Sequence, residues 1–124
     1  MSDTILAIDD DPSILEIVKV ILSEKGYHII TAESGEKGLK LARIHRPKCI
    51  LLDVVMPKMS GYMVSAILDK DRVLRKIPLI LLTATAQMVG HISLSVKAHH
   101  KLLKPFKPED LLEIVENVMN PIKE

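Results

Sequence analysis

The chain has 124 residues and a mass of 13.8 kDa, the size of one domain. Hydrophobic residues make up 48% and charged residues 27%, a balance that excludes general disorder. The 17 Lys+Arg and 16 Asp+Glu leave a net charge of +1 and aromatics reach only 2%, so neither a basic excess nor a stacking surface argues for direct nucleic-acid binding.

Ile5-Leu6-Ala7-Ile8 predicts a short buried strand that runs into Asp9, Asp10 and Asp11. Asp11-Pro12 then opens a helix, because Asp caps an N-terminus and Pro suits the first helical position. Ile14, Leu15, Val18, Ile21 and Leu22 keep the helical period up to Lys25, and Gly26 stops it. Residues 27–31 predict a second strand. Ser34 caps a second helix that ends before Pro47, with Gly38 inside it at a cost of about 1 kcal/mol relative to Ala.

Cys49–Leu52 predicts a third strand that again ends in an aspartate, Asp53. Ser60-Gly61 leads into a third helix, and Pro78 introduces a fourth strand, Leu79–Leu82, that ends at Thr83. Residues 86–96 predict a poor fourth helix interrupted by Gly90, Ser93 and Ser95. A fifth strand falls around Leu102-Leu103. Pro108-Glu109-Asp110 starts a last helix, with acids in the first turn where the helix dipole favours them. Strands alternating with helices imply a parallel sheet covered on both faces, and one domain spanning 1–124, with no further domain in this chain, is expected.

Cys49 is the only cysteine and sits in an apolar run, so a buried small hydrophobe is expected and an internal disulfide is excluded. No basic leader precedes the first acids. Residues 77–96 lack charged side chains, but they contain Pro78, Gly90 and several hydroxyls. Their longest apolar run, Leu79–Leu82, is far too short for a bilayer. A cytoplasmic protein without a membrane partner is expected.

Ligands of an open α/β sheet bind beyond the carboxyl ends of its strands. The residues predicted there are Asp9, Asp10 and Asp11, then Asp53, then Thr83, then Lys104-Pro105-Phe106. Asp11 is explained by capping; Asp9 and Asp10 are not. Crowded carboxylates resist ionisation unless a cation compensates them, and hard oxygen donors suit Mg²⁺. A metal, a hydroxyl and an ammonium are equipment for holding a phosphoryl group, with Asp53 as nucleophile forming an acyl phosphate.

These pieces together resemble the receiver domain of two-component response regulators, over essentially the whole chain. The residues that carry the resemblance are Asp9-Asp10, Asp53 within Asp53-Val54-Val55-Met56-Pro57-Lys58-Met59-Ser60-Gly61, Thr83-Ala84 and Lys104-Pro105-Phe106. The resemblance implies a flavodoxin-like, doubly wound fold with strand order 2-1-3-4-5. It implies that Asp53 accepts a phosphoryl group from a histidine kinase or phosphotransfer protein, as a phosphoacceptor and not a turnover enzyme. It further implies that Asp10, Asp53 and the Val55 backbone carbonyl bind Mg²⁺ directly and that Asp9 acts through water. Thr83 and Lys104 would contact the phosphoryl group, and the output would be altered affinity for a downstream protein.

The chain departs from the family pattern at residues 97–101. Lys97 stands where many receivers end a helix with glycine, and Lys101 stands where they carry a switch aromatic. Residues 84–101 are therefore expected to be irregular, and His99-His100 to be loop or surface residues. Two alternatives are weaker. A phosphatase using an aspartyl phosphate needs an acid two residues after its nucleophile, where this chain has Val55. A receiver that binds partners without phosphorylation would not need the full Asp9, Asp10, Asp53, Thr83 and Lys104 set.

Overall fold

The computed structural model describes residues 3–84 and 100–120. Its elements in chain order are β1 (Thr4–Ile8), α1 (Pro12–Ser23), β2 (His28–Ala32), α2 (Gly35–His45), β3 (Cys49–Asp53) and α3 (Gly61–Lys70). A 3₁₀ turn (Leu74–Lys76), β4 (Leu79–Thr83), β5 (His100–Leu103) and α4 (Pro108–Met119) follow. The helix predicted over 86–96, together with Thr85, Lys97 and His99, lies outside the described residues.

All strand pairs are parallel, and the order is β2-β1-β3-β4-β5, as the resemblance implied. The central strands β1, β3 and β4 are buried along their whole length because both faces are covered. The edge strands β2 and β5 are only partly buried. On one face α1 and α4 pack Leu15, Val18, Leu22, Leu111 and Val115 against Ile5, Ala7 and Leu51. On the other, α2, α3 and the 3₁₀ turn pack Leu39, Ala42, Val64, Leu68 and Leu74 against Leu6, Ile8 and Leu52. Cys49 is fully buried, and burial pushes its thiol up to about 12, as expected of an inert core residue.

The caps predicted at Asp11 and Ser34 form, accepting hydrogen bonds from the Ser13 and Lys37 amides. Ser60, which the sequence places only at the entry to the third helix, caps α3 by accepting one from the Met63 amide. Boundaries shift by a residue or two. The helix α1 ends at Ser23, and the chain turns through Gly26 at φ +91°. Sheet pairing carries β2 on to Ala32 and starts β5 at His100, opposite Ile80. The unfavourable Gly38 has a packing reason: a Cβ there would run into the Ile8 side chain, so glycine lets α2 lie close against β1. The C-terminus of α2 instead turns through Arg46 at φ 45°, where a side chain costs about 1 kcal/mol that glycine would not.

Candidate functional site

Parallel strands deliver their last residues to one edge of the sheet. The fully buried Asp9 follows β1, Asp53 closes β3 with 5% exposure, and the fully buried Thr83 closes β4. Lys104 follows β5, where its backbone amide donates to the Thr83 carbonyl at 2.8 Å. The Lys104–Pro105 peptide is cis.

The side chains meet across these strand ends. Lys104 Nζ donates to Asp9 Oδ2 at 2.7 Å and lies 3.3 Å from Asp53 Oδ1. The other Asp9 oxygen accepts from the Asp11 amide at 2.9 Å, so Asp9, two residues before the helix cap, is locked from both sides. Asp10 is exposed, beside the other two acids. Oxygens of Asp9, Asp10 and Asp53 lie within 4.8 Å of one another, which is the reach of one metal ion.

Burial raises the Asp53 carboxyl to about 6, and the charge of Asp9 adds to the effect. The charge and hydrogen bond of Lys104 oppose it without cancelling it. Burial alone would lower the Lys104 ammonium. Its hydrogen bond to Asp9, then the charges of Asp9 and Asp53, hold it above its ordinary value. Three acids against one ammonium leave a surplus of negative charge in a largely dry cleft. A hard divalent cation fits that donor set, and no nitrogen or sulfur ligand competes among the described residues.

The structure thus brings together Asp9, Asp10, Asp53, Thr83 and Lys104. Val55 sits two residues beyond Asp53 in the β3–α3 loop, with its side chain 55% exposed. His100 is half-buried on β5, Lys101 is exposed beside it, and His99 is not among the described residues.

One residue of consequence was not legible as such in the sequence. A Cβ on Gly61 would strike the Asp53 carbonyl oxygen and lie 2.7 Å from Val54 Cα. The Gly61 amide donates to the Val54 carbonyl at 2.8 Å, so α3 starts in direct contact with the end of β3. Only its place at the end of the Asp53–Gly61 stretch hinted at this.

The family model for the response regulator receiver domain matches residues 5–116. The chain is 36% identical over 118 residues to the probable transcriptional regulator ycf27 of Porphyra purpurea, covering 94% of this chain and 47% of that protein. It is 32% identical over 120 residues to the alkaline phosphatase synthesis transcriptional regulatory protein PhoP of Bacillus subtilis, covering 96% and 49%. The chain therefore spans about half the length of the curated relatives it matches.

Among solved structures, the Vibrio cholerae chemotaxis protein CheY4 superposes with a TM-score of 0.89 at 32% identity, covering 95% of this chain and 99% of that one. The receiver domain of a sensor histidine kinase from Pseudomonas aeruginosa, with magnesium ion coordinated in its active site cleft, gives 0.88 at 26%, covering 96% and 98%. Fold, strand order and matched span agree: the chain belongs to the response regulator receiver domain family of two-component signalling.

Proposed function

We propose that the chain is a phosphoacceptor in a two-component phosphorelay and that Asp53 is the residue modified. The observation that carries this reading is Lys104 Nζ bridging the buried Asp9 and Asp53, 2.7 and 3.3 Å away, next to the Thr83 strand end. A carboxylate oxygen of Asp53 attacks phosphorus. The P–N bond to a phosphohistidine donor breaks, and its electron pair leaves with the imidazole, which ends protonated.

Asp10, Asp53 and the Val55 carbonyl would hold Mg²⁺, with Asp9 acting on it through water. When bound, the ion neutralises charge on the phosphoryl oxygens. Lys104 neutralises another part, and its grip on Asp9 keeps it aimed at the phosphoacceptor. The Thr83 hydroxyl moves toward the remaining oxygen and contacts it. The product is an altered surface for a downstream protein, not a released metabolite, so the domain acts as a switch. Donor and target are proteins of the cytoplasm. The names of the curated relatives assign transcription to those longer proteins, and this stretch contributes reception of the signal. Among the described residues no helix is long and apolar enough to cross a membrane.

The test is intact mass after incubation with Mg²⁺ and a small acyl phosphate donor. The parent should gain one phosphoryl group, of about 80 Da, and Asp53→Asn should gain none. Equal labelling of the two would sink the assignment.

A further inference from the structure

All four arginines of the chain occur in two short segments of similar pattern, Arg43-Ile44-His45-Arg46 and Arg72-Val73-Leu74-Arg75. The first ends α2 and the second runs from the end of α3 into the 3₁₀ turn. Both elements pack on the same face of the sheet, through Ala42 and Leu74 of one core cluster. The helices run back from the carboxyl edge, so both segments lie at the end of the molecule far from Asp53.

The segments are neighbours in space, because α2 and α3 pack against each other on that face. The Asp71 carboxyl is held below its ordinary value by hydrogen bonds from the Leu74 and Val73 amides, and further by the charges of Arg43 and Arg46. Residues 40–48 and 70–76 hold eight of the 17 lysines and arginines, and Asp71 is their only acid. The two segments thus carry a formal +7, which Asp3, beside Lys48, and Asp69, at the end of α3, reduce to +5 at this end, in a chain of net +1. Every one of the eight side chains is exposed, and the only ion pair among them in the described residues is Lys48 with Asp3 at 3.7 Å.

Two further observations separate this patch from an ordinary solvated face. The residue after the first arginine of each segment is an exposed hydrophobe: Ile44 is 62% and Val73 is 47% exposed. Arg46 also occupies a left-handed turn position, at φ 45°, where glycine would be unstrained. The platform is firm, because Asp71 Oδ1 accepts from both the Val73 and Leu74 amides at 2.9 Å.

We infer that this surface docks an acidic amphipathic segment of a partner protein, whose carboxylates meet the arginine pairs and whose apolar side chains cover Ile44 and Val73. Guanidinium forks match carboxylates in pairs, and desolvated apolar anchors between them supply the hold. A nucleic-acid backbone would use the charge but leave Ile44 and Val73 uncovered. A lipid surface is met by a continuous apolar stripe, which two separated side chains do not make. The inference stands independently of phosphorylation at Asp53.

The experiment uses the full chain and a short fluorescent helical peptide of Glu and Leu in amphipathic order, read by anisotropy and by amide chemical-shift mapping. The comparison probes are the Lys/Leu counterpart, a short DNA duplex and vesicles rich in phosphatidylserine. Binding of the acidic peptide should shift amides at 43–48 and 71–76. Arg43→Gln with Arg75→Gln should weaken it about tenfold or more, and Ile44→Ser with Val73→Ser about threefold or more. Lys19→Gln with Lys25→Gln removes as much charge from α1 and the turn that follows it and should change binding less than about twofold. Phosphoryl uptake at Asp53 should match the parent in every variant. Four results would overturn the inference: no binding of the acidic peptide, equal losses in the arginine and α1 lysine variants, no loss from the Ile44 and Val73 changes, or tighter binding of the duplex or vesicles through the same arginines.

Discussion

As the proposed phosphoacceptor, Asp53 has to be an anion to act, yet its surroundings favour the acid. Burial and the Asp9 charge raise it from 3.8 to about 6, so the folded chain binds that proton more tightly than the unfolded chain does. This group's contribution to stability is therefore present below about pH 4 and lost as pH rises through about 6. The same proton competes with a metal. We predict that Mg²⁺ affinity is nearly constant above about pH 7 and falls as pH drops below about 6, by up to about tenfold per unit, in calorimetric titrations. A pH-independent affinity would show that Asp53 is not a ligand. The neighbouring acids divide the work by burial. Asp9 is sealed between Lys104 and the Asp11 amide, while Asp10 is exposed at the solvent side of the cluster. Asp10→Ala should thus weaken Mg²⁺ binding about tenfold or more, and Asp9→Ala should weaken it less. The reverse order would exchange their roles.

The β3–α3 connection shows how an element's start can position a reacting group. Gly61 is the first residue of α3, and it touches the backbone of Asp53 and Val54 with no room for a methyl group. Gly61→Ala should push the helix start away from the strand end. Phosphoryl uptake should slow about tenfold or more in protein that remains folded by circular dichroism, and Val115→Ala, a core truncation on the opposite face, is the control for lost stability alone. Uptake rates equal in the two variants would make Gly61 a packing residue only. Caps act more simply. Ser34 satisfies the Lys37 amide at the start of α2, and Ser34→Ala should cost about 1 kcal/mol, seen as a lower urea midpoint with an unchanged slope.

For the molecule as a whole, the sheet is a device for gathering charge at one edge, and a cation bound there would relieve the repulsion. Mg²⁺ at about 100 times its Kd should stabilise the fold by about 2.7 kcal/mol, a rise of roughly 10 °C in Tm near neutral pH. The rise should shrink below about pH 6, as Asp53 keeps its proton, and be largely absent in Asp53→Asn. Scanning calorimetry of both proteins checks this. An equal rise in the two would mean that the ion binds elsewhere.

Strand runs, helix periods, caps at Asp11 and Ser34, and the polar residues at strand ends were legible in the chain, because each is a local choice with a local physical cause. So were the parallel sheet and the candidate residues Asp9, Asp10, Asp53, Thr83 and Lys104, since alternation of strand and helix sends every strand end to one edge. Distances between groups far apart in sequence were not legible. Lys104 grips Asp9 across 95 positions, and that contact decides which acid is locked and which faces solvent. The penalty at Gly38 became intelligible only when Ile8 was found against it, and Gly61 only when the Asp53 carbonyl was. The two arginine segments became one surface for the same reason: packing on a shared sheet face set side by side what the chain holds some thirty residues apart.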